Sequence, residues 1–354
     1  MRTLTRTAVV LAALQIAAVA PPIPIERIPP IPAPAVTAPG WILYDETNDL
    51  VLASREADTP RPMASTTKMM TGLLALESGR MDEVVTVSER AADIGEAEIG
   101  LVAGERLPVE ELVKALLIRS GNDAAVAVAE HLGGSVEAFV SQMNARAAEL
   151  GMTSTSFANP HGLDAEGHFS SPRDLLTLGL AAMQSPEFAD IVATDRYEMS
   201  NAPDGSARVA ETTITLLHTY RGTFGVKTGF TFQAGLVFVG GAERDGRRLW
   251  AVVMGSDGSG AHFADAARLL DHGFEDHTIV DTIARGIPYR LGPSQVDPDL
   301  MALARLHALT LVGNLDQAIP VEPTEEVPPA EVLTAELPGP LEALQWLVRG
   351  LGNG

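Results

Sequence analysis

The sequence predicts an α+β fold, an antiparallel sheet packed with a helical cluster. Three observations carry this. Strand-like runs stand at both ends of residues 41–274, helical runs fill the middle, and no fixed-period repeat or steady strand–helix alternation occurs. Trp41–Tyr44 and Leu50–Ala53 flank Asp45-Glu46-Thr47-Asn48-Asp49, a hairpin by composition. Helices are expected over Ser65–Ser78, Val109–Ile118, Ala124–Leu132 and Val136–Leu150, with Gly79 and Gly151 as stops. Pro172 stands at the first turn of another, Arg173–Met183. Strands return at Gly225–Thr228, Leu236–Val239 and Leu249–Met254. The last two flank Arg244-Asp245-Gly246, whose Asp-Gly signals a tight hairpin. Ala264–His272 reads as a closing helix with Leu269 and Leu270 inward.

The flanks read differently. Residues 1–20 have the form of a secretory signal: Arg2 and Arg6, an apolar run from Thr7 to Val19, then Ala18-Val19-Ala20. Pro21 follows that site directly, and Ala33-Pro34-Ala35 is a second candidate, so cleavage can fall as late as residue 35. Residues 21–40 hold eight prolines and read as a linker. Residues 275–318 form an extension without clear periodicity, and 319–354 a Pro/Glu-rich tail. That tail ends in a short apolar stripe, Leu341, Leu344, Trp346, Leu347 and Leu351, suited to weak peripheral membrane contact.

Composition excludes several chemistries. The 354 residues contain no cysteine, which removes disulfides, thiolate metal sites and a cysteine nucleophile. A net charge of −21 repels phosphate backbones, so nucleic acid is not an expected partner. Of 25 basic residues only Lys68, Lys114 and Lys227 are lysines. Lysine can lose its proton when buried or crowded by cations, whereas arginine cannot, so each lysine marks a place to look.

Two of the three fall in short polar motifs. Ser65-Thr66-Thr67-Lys68 places a hydroxyl and an amine on one helical face. With its pKa lowered, Lys68 can take the serine proton, and the helix start offers N–H groups to an oxyanion. Ser120-Gly121-Asn122 supplies a hydroxyl for proton transfer and an amide to orient a lysine or bind a substrate amide. Lys227-Thr228-Gly229-Phe230-Thr231 puts a lysine and a hydroxyl on a strand where they can hold an anion, with Gly229 allowing a ligand backbone to approach closely. Each motif alone also fits an ordinary helix cap, turn or edge strand.

Together and in this order the motifs resemble those of the serine penicillin-recognising enzymes: Ser-x-x-Lys, Ser-x-Asn and Lys-Thr-Gly. Ala64–Thr71, Ser120–Ala124 and Asn159-Pro160-His161-Gly162-Leu163-Asp164 are similar to segments of the low-molecular-mass penicillin-binding proteins of the D-alanyl-D-alanine carboxypeptidase family. The resemblance covers residues 41–274 and implies a β-lactamase/transpeptidase-like fold. It implies that Ser65 attacks the carbonyl between the terminal D-alanines of a peptidoglycan stem peptide while Lys68 takes its proton. The oxyanion would lie between the backbone N–H groups of Ser65 and Phe230. Ser120 would relay a proton to the departing D-alanine, tuned by Asn122 and Lys227, and Lys227, Thr228 and Thr231 would help hold the terminal carboxylate. β-Lactams would acylate Ser65, and no metal or cofactor is implied.

The chain departs from several relatives on the loop Gly255–Phe263, which lacks the arginine that meets the substrate carboxylate there. His262 is the candidate cation on that loop. Other readings share the motifs: a class A-like β-lactamase, a DD-endopeptidase or transpeptidase, and a catalytically silent peptidoglycan-binding protein. No convincing Glu-x-x-Leu-Asn stretch of the β-lactamase kind lies between Asn122 and Lys227. The expectation is an exported, cell-envelope enzyme.

Overall fold

The computed structural model describes residues 33–276. The signal, the extension beyond 276 and the apolar tail end lie outside the described residues. In chain order the elements are β1 (Gly40–Asp45), β2 (Leu50–Arg55), α1 (Lys68–Glu77), β3 (Val84–Thr86), α2 (Glu89–Ala92), β4 (Arg106–Pro108), α3 (Val109–Ile118), α4 (Asn122–Gly133) and α5 (Val136–Glu149). They continue as α6 (Pro172–Ala182), α7 (Pro186–Val192), β5 (Arg196–Glu198), β6 (Val209–Glu211), α8 (Leu216–Thr219), β7 (Thr223–Thr231), β8 (Gly235–Arg244), β9 (Arg247–Ser256) and α9 (Ala261–Asp271).

The main sheet is antiparallel, ordered β2-β1-β9-β8-β7, so strands from both ends of the domain meet at its centre. Both faces are covered. Ile42, Val237, Val239, Trp250, Val252 and Met254 join the helical core. Trp41, Leu43, Phe238, Leu249, Ala251 and Val253 alternate with them and pack with Leu269 and Leu270 of α9. Strands buried on two faces read as continuous apolar runs, which explains the unbroken Leu249–Met254. The β8–β9 turn is Asp245-Gly246 with φ of 52° and 79°, the left-handed pair that a two-residue hairpin demands.

At the centre of the helical cluster lies α4, whose residues Asn122 to Ala129 are all buried. Its alanines and valines let α3 and α5 approach closely. Serines begin several helices: Ser88, Ser135, Ser171 and Ser185 each accept an N–H from the first turn of α2, α5, α6 and α7.

The structure differs from expectation at two places. The helix expected from Ser65 starts as a 3-10 turn over Ala64–Thr67, with α1 beginning at Lys68. Part of the Pro-rich segment also packs into the domain. The buried Asp265 carboxylate accepts hydrogen bonds from Thr37 N (3.0 and 3.1 Å), Thr37 Oγ1 (2.7 Å), Ala38 N (3.0 Å) and Ser256 Oγ (2.8 Å), and Ala38 is buried. Removing that acceptor strands buried donors. Asp265→Ala is expected to lower the unfolding free energy by about 3 kcal/mol, read from urea midpoints, with faster amide exchange at Ala38.

Candidate active site

Three elements converge on Ser65: the 3-10 turn that carries it, the first turn of α4, and β7. The turn is strained and tightly packed. Ala64 has φ of 49°, Thr66 Oγ1 donates to Met63 O (2.6 Å), and Thr67 Oγ1 donates to Ala64 O (2.8 Å). Two glycines press on it. A Cβ on Gly229 would lie 2.6 Å from Ser65 N, and one on Gly162 would lie 2.1 Å from Ala64 O. Both positions therefore require glycine: backbone occupies the space where a side chain would be. The sequence suggests a ligand backbone approaching Gly229; on the side where its Cβ would stand, the structure has the protein's own Ser65 turn.

The Lys68 side chain is fully buried. Its Nζ lies 2.9 Å from Ser65 Oγ, 2.7 Å from Asn122 Oδ1 and 2.6 Å from His161 O. The last two atoms accept only. Asn122 cannot turn its amide round, because Nδ2 donates to Gly95 O (3.0 Å). A neutral amine has two N–H bonds and one lone pair. Giving its hydrogens to Asn122 and His161 aims the lone pair at Ser65 Oγ. Burial, and secondarily the charge of Lys227, hold Lys68 well below the ordinary lysine value, while Asp123 and Glu96 oppose this. The geometry and the electrostatics thus favour the same state, a base facing the serine.

Lys227 is also fully buried, on β7, and burial lowers it to about 7. Its Nζ donates to Ser120 Oγ (3.0 Å) and Thr228 O (2.9 Å). Ser120 holds φ of 71°, a costly conformation for a non-glycine residue, and its hydroxyl meets Lys227 from there. Asp123 fixes the approach to α4 by accepting from Ile99 N, Leu101 N and Ala124 N, while Asn122 N donates to Ala97 O (2.6 Å).

The five residues Ser65, Lys68, Ser120, Asn122 and Lys227 are therefore brought together. The D-alanyl-D-alanine carboxypeptidase family model matches residues 29–258. The chain belongs to that family. It is 35% identical over 241 residues to a D-alanyl-D-alanine carboxypeptidase of Bacillus subtilis, covering 67% of this chain and 62% of that protein. It is 37% identical over 254 residues to one of Mycobacterium tuberculosis, covering 69% and 84%. The crystal structure of a Streptomyces DD-transpeptidase superposes with a TM-score of 0.65 at 30% identity, covering 69% of this chain and 99% of the other.

Two site residues differ from the sequence-based expectation. His262 was the candidate cation, yet it is buried, burial lowers it to about 4, and its ring lies 3.9 Å from that of Phe263. A neutral, buried imidazole cannot replace an arginine at a carboxylate site. Thr231 was expected to help hold the carboxylate, but its hydroxyl donates to Asp164 Oδ1 (2.7 Å) and accepts from Ala234 N (3.1 Å). Thr228 is half-buried, its hydroxyl donating to Val237 O across a longer 3.2 Å contact, and Phe230 is exposed.

The site also contains residues given no role from the sequence. Asn159 Oδ1 accepts from His161 N and Gly162 N, shaping the loop that presents the His161 carbonyl to Lys68. The His161 ring is neutral: burial lowers it to about 3, and Nδ1 accepts from Leu163 N (3.1 Å). His168 buttresses the nucleophile turn. Its Nδ1 accepts from Ala158 N (3.0 Å), so Nε2 carries the hydrogen facing Thr67 Oγ1 (2.8 Å). Asn-Pro followed by His-Gly signals an irregular loop, but nothing local says that its carbonyl meets an amine.

A buried lysine costs stability at neutral pH. The folded-state value of Lys227 lies below the unfolded one, so between about pH 7 and 10 the unfolded chain binds the extra proton and stability rises with pH. Lys227→Met removes that penalty. The variant is expected to be more stable than wild type by about 1–3 kcal/mol at pH 7, with the gap closing toward pH 10 in paired denaturant titrations.

Proposed function

We propose that this protein is a serine D-alanyl-D-alanine carboxypeptidase that removes the terminal D-alanine from peptidoglycan stem pentapeptides and is acylated by β-lactams. The observation that carries the reading is the Lys68 amine, 2.9 Å from Ser65 Oγ and bound to two atoms that only accept. Ser65 gives its proton to neutral Lys68 as Oγ attacks the carbonyl between the two D-alanines. The oxyanion sits against the backbone N–H groups of Ser65 and Phe230. Collapse breaks the peptide C–N bond. Ser120, bonded to Lys227, passes a proton from the lysine pair to the departing amine. Water then attacks the ester carbonyl, Lys68 taking its proton and giving it to Ser65 Oγ, 2.9 Å away, as the C–O bond breaks.

Lys227 holds the terminal carboxylate in this reading, joined by Thr228 once its hydroxyl turns its hydrogen from Val237 O, 3.2 Å away, to the carboxylate. The carboxylate's charge favours the protonated Lys227, opposing the effect of burial. With Thr231 committed to Asp164 and His262 neutral, carboxylate recognition rests on fewer groups than the motifs imply. A substrate in peptidoglycan places the enzyme in the cell envelope. Export through residues 1–20 and weak membrane contact through 341–351 complete the proposal.

The test is D-alanine release from diacetyl-Lys-D-Ala-D-Ala. Ser65→Ala is expected to lower kcat by about 1,000-fold or more, with loss of the benzylpenicillin adduct by intact mass. Full activity in the variant would overturn the assignment of the nucleophile. The likeness to a DD-transpeptidase raises a second product, transfer of the same acyl group to an amine. Added acceptor amine would then yield a new peptide instead of the acid.

A further inference from the structure

We propose that the side chains of Phe230 and Phe232 form an aromatic ledge that binds the acyl side of the substrate and favours ring-bearing or methylene-rich groups there. The inference rests on the acyl-enzyme reading above. Phe230 is 54% exposed and Phe232 is 96% exposed. Their ring centroids are 5.7 Å apart at 67°, an edge-to-face pair. Scattered exposed apolar residues are ordinary on a protein surface. Two paired, exposed phenyl rings that follow directly on Gly229, whose backbone presses on Ser65 N, form a contact surface.

The direction of β7 decides which part of the substrate meets them. Lys227 and Thr228 stand at the carboxylate end. The next residue, Gly229, lies against Ser65 N, which marks the level of the reacting carbonyl. A strand advances about 3.3 Å per residue. A peptide with its carboxylate at 227–228 and its scissile carbonyl at 229–230 therefore continues past 231–232 with its acyl portion. Phe230 lies near the end of β7 and Phe232 begins the turn that follows, and the edge-to-face contact of their rings presents the two together. The hairpin tip is tethered: Thr231 Oγ1 donates to Asp164 Oδ1 and Gln233 N donates to Asp164 Oδ2 (3.4 Å). A tethered tip loses little freedom when a ligand packs on it.

The test uses two penicillins that share nucleus, amide and carboxylate and differ in one phenyl group: benzylpenicillin and 6-acetamidopenicillanic acid. The readout is the ratio of their second-order rates of Ser65 acylation, followed by intact mass. The ledge predicts that wild type favours benzylpenicillin, that Phe232→Ser lowers the ratio about three- to tenfold, and that Phe232→Tyr keeps it. Phe232 is almost fully exposed, so loss of the fold is not expected in either variant. Acylation by both compounds with the same ratio in wild type and Phe232→Ser overturns the ledge alone. No acylation of wild type by either compound overturns the acyl-enzyme reading, and the ledge with it.

Discussion

An amine taken out of water and given two fixed acceptors is the constraint on which the site depends. The Lys68 amine has no solvent contact, and Asn122 Oδ1 and His161 O, at 2.7 and 2.6 Å, leave one direction open, toward Ser65. In water a lysine is an ammonium ion at neutral pH and cannot act as a base. Here burial disfavours the charge, and the fixed acceptors orient what remains after the proton leaves. Neither acceptor belongs to the helix that carries Lys68. The site therefore exists only when α1, α4 and the 159–164 loop are packed together.

Much of the surrounding structure secures that packing. Gly95 O holds the Asn122 amide in one orientation, and Asp123 gathers the 97–101 segment onto the same helix start. Asn159 folds the loop that offers the His161 carbonyl, and Thr71 Oγ1 binds Pro160 O (2.6 Å) to keep it on α1. Glycines at 162 and 229 let backbone from two directions close on the serine turn. Positive φ values at Ala64 and Ser120 are local strain that this packing supports. Stability and function oppose each other here, since two lysines are buried without a carboxylate partner.

What could be read from the sequence was local or rare. The limits of Val109–Ile118, the Asp245-Gly246 hairpin and the Pro172 start each follow from a few adjacent residues, and the structure has all three. Lysine scarcity pointed to Lys68 and Lys227 because arginine serves elsewhere. The misreadings were of longer range. Proline content made residues 21–40 look like a tether, but Thr37 bonds Asp265, 228 positions away. His262 reads as a cation until burial is known, and Thr231 as a free hydroxyl until Asp164, 67 positions away, is placed beside it. Short elements such as Pro186–Val192 and the Arg196–Glu198/Val209–Glu211 pair are too brief for periodicity to register.

Because the chain has only three lysines, their titration can be followed one by one. The direct measurement is the pH dependence of the side-chain 13Cε signals of lysine-labelled protein, assigned by Lys68→Arg and Lys227→Arg variants. Lys114, paired with Glu110 on the surface of α3, should titrate above the ordinary lysine value. Lys68 should titrate well below it, and Lys227 near 7. Lys68 titrating alongside Lys114 would mean an ammonium ion beside Ser65 at neutral pH, and would contradict the account of Lys68 as the base.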